Sequence, residues 1–138
     1  MRLRVVRRIR WAVLAIADER GRSPVIAFLA DLSRAGGADA AQVQALLTLV
    51  ARSGPPHNEQ PARQLDGPIW ELKTRGGIRI PYFYDEGLIV ICTEALRKPK
   101  RTELRRVTSR ALAPHDDYQR AKRAGDVSVL DSVLEEGE

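Results

Sequence analysis

Three cations interrupt an otherwise apolar hairpin near the middle of the chain, 69-IWELKTRGGIRIPYFY-84. Two predicted strands meet there at a Gly-Gly turn, and Lys73, Arg75 and Arg79 lie close to that turn. A small domain needs its sheet for the core, and charged side chains are rarely buried without a partner. The cations therefore indicate a ligand, and their charge favours a phosphate group.

The alternation of side chains along a strand predicts which face each residue takes. Glu71, Lys73 and Arg75 should share one face, while Trp70 and Leu72 take the other. The apolar face should pack against helices, which leaves the cations to meet solvent or a ligand.

The position of Arg79 depends on the length of the turn. A two-residue turn would place Arg79 on the Trp70 side, whereas a three-residue, bulged turn would place it with Lys73. We favour the bulged turn, because an unpaired arginine against an apolar face is costly. Pro81 also indicates irregular pairing, since proline cannot donate to a sheet ladder.

Before the hairpin, the pattern predicts a strand and a pair of helices. Residues 11–17 form the apolar strand. Ser23 and Pro24 are typical of a helix N-cap and first residue, and apolar residues then recur at helical spacing. Two glycines end this helix, and a second helix with the same spacing begins near Asp39.

After the helices, residues 53–68 hold four prolines and two glycines and are expected to form a long surface connection. Three strands follow, at about 69–75, 78–84 and 88–95, and then a helix near 101–113. Together these elements predict an α+β fold. Its sheet is small and antiparallel with a mixed edge and about four strands, an N-terminal helical hairpin packs on one face, and a C-terminal helix follows.

The length of 138 residues indicates one domain, which we place at residues 1–118. Residues 119–138 form a charged C-terminal extension, in which Asp126 or Ser128 is expected to cap a short acidic helix that runs through Glu136.

The net charge of +5 favours a polyanionic partner, although a solvated basic surface gives the same total. Between residues 97 and 110 there are seven cations and one acid, whereas the last fifteen residues hold five carboxylates and no Lys or Arg. This polarity is typical of a basic groove beside an acidic tail. The alternative is a basic helix face that only meets water.

The single cysteine, Cys92, lies in an apolar run and is expected to be buried, which excludes a disulfide framework. No apolar segment approaches the roughly 20 residues of a membrane span. The basic N-terminus lacks a cleavage signal. We therefore expect a cytoplasmic protein with no membrane partner.

Metal and cofactor sites are not predicted. His57 and His115 are isolated and lack ligand spacing, and the sequence shows neither a nucleophilic triad nor a glycine-rich phosphate loop.

The run from residue 65 to 112, together with an upstream piece at residues 21–32, resembles the RelE/HigB superfamily of toxin–antitoxin toxins, in particular its phage-derived, HigB-like branch. The corresponding pieces, in order, are 21-GRSPVIAFLADL-32, 65-LDGPIWELK-73, 78-IRIPYFY-84, 88-LIVICTEALRK-98 and 103-ELRRVTSRA-111. The resemblance implies a small α+β endoribonuclease that cleaves mRNA, usually on the ribosome, and inhibits translation. Its implied partner is a cognate antitoxin, expected to be a helix-turn-helix protein, and no small-molecule cofactor is implied.

The resemblance also implies the site residues. The catalytic residues would be Lys73, Arg79 and Lys98, and the RNA-binding residues would be Arg75, Arg97, Lys100, Arg101, Arg105, Tyr82 and Tyr84.

RNA can be cut without a metal when its own 2′-hydroxyl attacks the adjacent phosphate, provided that the protein moves protons and stabilises the extra charge. Arginine suits charge stabilisation, and lysine suits proton removal where neighbouring cations lower a lysine pKa. If the cations converge, Lys73 would be the general base and Arg79 the phosphate clamp. Lys98 or Arg97 would stabilise charge or act as the acid.

Two features of the sequence allow more than one interpretation. Tyr82 and Tyr84 either pack across the strands, or stack on a base or assist proton transfer. The phenylalanine of the family's F-x-K-K element is absent, and Leu104 and Arg105 stand where relatives place a tyrosine. A non-catalytic RNA- or DNA-binding module, or a degenerate toxin that mainly binds an acidic antitoxin, is therefore the alternative function.

Overall fold

A computed structural model describes residues 1–56 and 62–131 of the chain. Within these residues it contains three helices and eight strands. In chain order the elements are β1 (Arg2–Arg8), β2 (Ala12–Ala17), α1 (Pro24–Ala35), α2 (Gly37–Ser53), β3 (Ala62–Asp66), β4 (Ile69–Lys73), β5 (Ile78–Asp85), β6 (Ile89–Cys92), β7 (Leu96–Arg97), α3 (Arg101–Arg123) and β8 (Ser128–Leu130).

The strands build one mixed sheet in the order β3-β4-β5-β6-β2-β1-β8, and β7 pairs with β5 beside this path. The β2–β6 and β1–β8 pairs are parallel, and the other pairs are antiparallel. The α+β class is correct. The expected sheet of about four strands with an N-terminal helical hairpin is wrong, because two strands precede the helices and β3 and β8 extend the sheet.

The sequence pattern does not predict the strand β1, because arginines interrupt its apolar residues. Those side chains find acceptors close by, so the strand tolerates them. Arg4 is buried and its Nε donates to the Gly21 carbonyl over 2.5 Å. Arg7 reaches across to α2, where its NH1 donates to Thr48 Oγ1 over 2.8 Å.

One face of the sheet packs against α1 and α2. The predicted Ser23 cap is confirmed, since the Ser23 hydroxyl accepts from the Ile26 amide, and Pro24 opens the helix. The main residues of this core are Val13, Ala15, Val25, Leu29, Leu32, Val43, Leu46, Leu47, Val50, Leu72, Ile80, Tyr82, Val90 and Cys92. Cys92 is fully buried, as expected, and burial raises the pKa of its thiol to about 12, so the thiol stays protonated.

The opposite face of the sheet packs against α3. Its core contains Leu3, Leu14, Ile69, Phe83, Ile91, Ala111 and Tyr118. The helix continues well beyond the predicted end near residue 113. Its second half is held to the β5–β6 turn, because the Tyr118 hydroxyl donates to Asp85 Oδ2 over 2.5 Å.

The predicted acidic helix near the C-terminus is wrong for Ser128–Leu130, which form β8. This strand pairs in parallel with β1, and the amino group of Met1 donates to the Asp126 carbonyl over 2.6 Å. The remainder of that prediction, from residue 132 onward, lies outside the described residues. The predicted surface connection is likewise corrected, because part of it forms β3, while His57 falls in the undescribed segment.

Candidate functional site

The turn between β4 and β5 decides where the cations of the hairpin lie. Residues 74–77 lie between β4 and β5, but the Thr74 amide donates to the Ile78 carbonyl over 3.0 Å. Thr74 and Ile78 therefore continue the pairing, and the turn itself consists of the three residues 75–77. Gly77 adopts a φ of +91°, a conformation that favours glycine. The three-residue turn is therefore confirmed, and Lys73 stands directly opposite Arg79 in the ladder.

Arg79 is fixed by an acid that the predicted site did not include. Its NH1 donates to Glu71 Oε1 over 2.6 Å, with Glu71 fully buried and the Arg79 side chain 19% exposed. Glu71 lies on the same face as Lys73, two residues earlier in β4. This shared face could have indicated the ion pair from the sequence. Glu71 is a carboxylate on the face predicted to carry Lys73 and Arg79, so an arginine on the same face is its natural partner.

Lys73 differs from Arg79 because it is exposed at the end of β4. It forms no ion pair with any residue that the structure describes. Arg75 is also exposed, but it lies in the turn itself rather than on the strand face. The site therefore combines one exposed cation, Lys73, with one cation that is held by an ion pair, Arg79.

The short strand β7 brings Lys98 to the hairpin. The Lys98 amide donates to the Gly77 carbonyl over 2.8 Å. A Cβ added at Gly77 would lie 2.7 Å from Lys98 Cγ, so the lysine stem rests against the glycine. Lys98 has a φ of +46°, which is uncommon for a residue with a side chain. The hairpin tip thus holds Lys98 close to the turn.

Arg97, in contrast, points away from this site. It pairs with Ile78, which belongs to the core under α1 and α2, and its NH1 lies 2.9 Å from Asp39 Oδ2 at the start of α2. The structure therefore separates Arg97 from the Lys73 and Arg79 face, against the prediction that it joins them.

The two tyrosines also lie on the α1 and α2 side of the sheet. Tyr82 is fully buried, and burial is the main reason that its pKa is raised. A contact between Tyr82 and RNA does not fit this position. Tyr84 is 46% exposed, but strand alternation places it with Tyr82 and opposite to Arg79. Packing, the first of the two alternatives for Tyr82, describes its position.

The cations at the start of α3 lie on the same side of the sheet as Lys73. Lys100 is the N-cap residue, and its side chain makes no capping hydrogen bond. Arg101 and Arg105 line a surface pocket of about 430 Å³ between α3 and the β3–β4 turn. Neither forms an ion pair within the described part of the chain. Arg110, further along, is paired with Glu94 at 3.2 Å.

The described residues lack two kinds of feature. Nowhere in residues 1–56 and 62–131 do three or more His, Cys, Asp or Glu side chains gather as metal ligands would. In the same residues, every helix is too short or too polar to cross a bilayer.

A protein-family model matches much of the chain. The model of the phage-derived Gp49-like proteins (DUF891) matches residues 28–115, which is more than half of the 138 residues. The matched region runs from α1 into α3 and includes the whole hairpin with Glu71, Lys73 and Arg79. No curated protein matches the chain. The chain belongs to the phage-derived Gp49-like family.

Proposed function

We propose that this Gp49-like protein is the toxin of a toxin–antitoxin system, and that it acts as an endoribonuclease on mRNA through Lys73 and Arg79. The resemblance to RelE/HigB toxins and membership of the Gp49-like family support the toxin assignment. The observation that carries the activity is the cross-strand pair of Lys73 and Arg79, in which Glu71 holds the arginine.

The geometry suits a single phosphate group. Residues directly opposite in an antiparallel pair have Cα atoms about 5 Å apart, so the side chains of Lys73 and Arg79 can reach the same phosphate. With one nitrogen of Arg79 held by Glu71, the guanidinium keeps a fixed direction. A fixed donor costs little reorganisation when charge develops on the phosphate.

In the proposed reaction the 2′-oxygen attacks the adjacent phosphorus and the bond to the 5′-oxygen of the next nucleotide breaks. Lys73 removes the proton of the 2′-hydroxyl, and Arg79 stabilises the charge on the phosphate oxygens. Lys98 donates the proton to the leaving 5′-oxygen. The products are a 2′,3′-cyclic phosphate and a free 5′-hydroxyl, and the RNA itself supplies the nucleophile.

The finer parts of the proposal are supported by the resemblance alone. These are cleavage on the ribosome, arrest of translation, and control by a cognate antitoxin of the helix-turn-helix type.

A second candidate function is favoured by the ion pairs of Arg79 and Arg97. One nitrogen of Arg79 is engaged by Glu71, Arg97 is engaged by Asp39, and Leu104 replaces the helix tyrosine of related toxins. Under this alternative the protein binds RNA or an acidic antitoxin segment without cutting RNA. It predicts salt-sensitive binding and no new RNA ends.

The test is induction of the wild-type chain and of Lys73→Ala, Arg79→Ala and Arg97→Ala, with translation rate and mapped mRNA ends as readouts. Arg97→Ala is the matched control, because it removes one cation near the same hairpin from the opposite face. We expect translation arrest and new mRNA ends with the wild-type chain and with Arg97→Ala. For Lys73→Ala and Arg79→Ala we expect the rate of mRNA cleavage to fall by a factor on the order of 10²–10⁴. Equal arrest and equal cleavage by all four proteins would remove the assigned site.

A further inference from the structure

The pocket beside α3 combines the features of a nucleotide-binding site. The apolar side chains of Leu65 in β3 and Leu104 in α3 line it together with polar groups from the same two elements. The polar lining residues are Asp66 at the end of β3 and Arg101, Arg105, Thr108 and Ser109 on α3.

One of the two arginines of this pocket, Arg101, stands where its charge is unfavourable for the helix. Arg101 is the first residue of α3, and Arg105 follows one turn later on the same side. The N-terminus of a helix carries partial positive charge, so a cation in the first turn is repelled there. Glu103 is the only acid of the first turn, and neither arginine has an ion-pair partner among the described residues. A bound phosphate would relieve this repulsion.

The remaining side chains of the pocket fit a base. Leu65 and Leu104 offer an apolar surface for its flat face. The hydroxyl of Thr108 donates to the Leu104 carbonyl over 2.8 Å, so its proton is engaged and its oxygen can act only as an acceptor. The carboxylate of Asp66 also only accepts hydrogen bonds. Both groups therefore select a base that presents an amino group, as cytosine does and uracil does not.

We propose that this pocket holds one nucleotide of single-stranded RNA, with its phosphate on Arg101 and Arg105 and an amino-bearing base facing Asp66. The proposal rests on the proposed function, because it concerns the same RNA. Asp66 pairs with Ile69, four residues before Lys73 in β4, which corresponds to about 13 Å along a strand. The pocket therefore holds a nucleotide that flanks the cleaved phosphate, and it selects the sequence around the cut.

The experiment measures binding of short 2′-O-methyl oligonucleotides, which lack the attacking hydroxyl and cannot be cut by the proposed reaction. The probes are oligo(C) and oligo(U), which differ in the amino or carbonyl group of the base. The pocket variant is Arg101→Gln/Arg105→Gln. Its control is Arg106→Gln/Arg123→Gln, which removes the same charge from exposed positions of the same helix outside the pocket.

We expect the pocket variant to bind oligo(C) about tenfold more weakly than the control, with a salt-dependence slope lower by about 0.7 for one lost phosphate contact. The wild-type protein should prefer oligo(C) to oligo(U), and Asp66→Asn should remove that preference. Thermal unfolding of each variant verifies that it is folded. Equal affinities and equal slopes for the pocket variant and its control would overturn the proposal, as would a wild-type protein that does not distinguish the two probes.

The two proposals fail in different ways. If the wild-type protein cuts RNA while the pocket variant binds like its control, the pocket is not a nucleotide site and the endoribonuclease assignment still stands. If pocket-dependent binding is found but no RNA is cut, the pocket is supported and the catalytic assignment fails. Lys73→Ala should keep the preference for oligo(C), because Lys73 does not line the pocket.

Discussion

Glu71 on β4 and Arg79 on β5 meet diagonally across the two strands, with 2.6 Å between Glu71 Oε1 and Arg79 NH1. The carboxylate is fully buried, while the arginine keeps part of its side chain exposed beside Lys73. A buried ion pair is weak evidence for stability, since desolvation offsets much of the attraction. Its effect here is on direction, because it holds the guanidinium of Arg79 toward the face where Lys73 is exposed.

Replacing Glu71 tests this positioning effect. Glu71→Gln keeps the size of the side chain but removes the charge that holds Arg79, so we expect the kcat of RNA cleavage to fall about tenfold, equal to about 1.4 kcal/mol. KM should change less, because Lys73 still attracts the phosphate. Single-turnover and steady-state cleavage of one model RNA separate the two effects.

The matched control is Glu94→Gln, which removes the carboxylate that pairs with Arg110. Glu71→Gln is expected to lose about 1.5–3 kcal/mol of stability in urea unfolding, because its charged hydrogen bond is made by a buried carboxylate. Glu94→Gln should lose only about 0.2–1 kcal/mol, since its partner Arg110 is 56% exposed. Only Glu71→Gln should lose catalysis. If both variants cut RNA at the wild-type rate, or if both slow equally, the positioning role of Glu71 is wrong.

Arg97 provides a second prediction, because its side chain is paired with Asp39 on the opposite side of the sheet. Half of the Arg97 side chain is exposed, and ion pairs at such positions contribute about 0.2–1 kcal/mol. We therefore expect Arg97→Gln to lower the free energy of unfolding by less than about 1 kcal/mol. Its affinity for a short oligonucleotide should equal that of the wild-type protein across a salt series. A loss comparable to that of Lys73→Gln would place Arg97 in the RNA-binding surface.

Much of the hairpin could be predicted from the sequence because its rules are local. Alternation placed Lys73 opposite to Leu72, and the cost of an arginine in an apolar core predicted the three-residue turn that puts Arg79 beside Lys73. The start of α1 was equally local, since a cap and a proline specify it within two residues.

Other features depended on contacts between distant parts of the chain. The arginines of β1 fit a strand only because carbonyl and side-chain acceptors of later elements meet them, and β8 forms only beside β1. Arg97 and Lys98 are neighbours in sequence, yet β7 places Arg97 over α2 and Lys98 against Gly77. Spacing alone could not separate these two residues.

The close approach of Lys98 to the hairpin turn gives a third prediction. Gly77→Ala places a methyl group 2.7 Å from Lys98 Cγ, and its φ of +91° also strains an alanine. Gly87→Ala is the control, because Gly87 has a similar φ of +83° but its nearest neighbour is 3.9 Å away. Both variants carry the backbone strain of about 1–2 kcal/mol. We expect only Gly77→Ala to slow RNA cleavage as well, because it displaces Lys98; equal cleavage by the two variants would show that Lys98 is not held by this contact.

The link between α3 and the β5–β6 turn predicts a pH effect on stability. Asp85 accepts hydrogen bonds from the Tyr118 hydroxyl at 2.5 Å and from Lys122 at 3.0 Å. Burial alone would raise the pKa of Asp85, but these hydrogen bonds and that of the Glu86 amide outweigh it and lower the pKa below 3.8. A depressed folded-state pKa contributes stability above the unfolded value, and that contribution is lost as the pH falls through the folded value.

Asp85→Asn should therefore be less stable than the wild-type protein at pH 7, and the difference in urea midpoint should shrink as the pH falls below about 4. Tyr118→Phe removes the same hydrogen bond and should cost about 0.5–1.5 kcal/mol. Because the two side chains share that bond, the double variant should lose less than the sum of the single losses.

Asp117→Asn serves as the control, since Asp117 is exposed on the same helix as Tyr118 and pairs only with Arg120 among the described residues. A difference between wild type and Asp85→Asn that stays constant from pH 7 to pH 3 would show that the ionised carboxylate does not hold α3 to the turn.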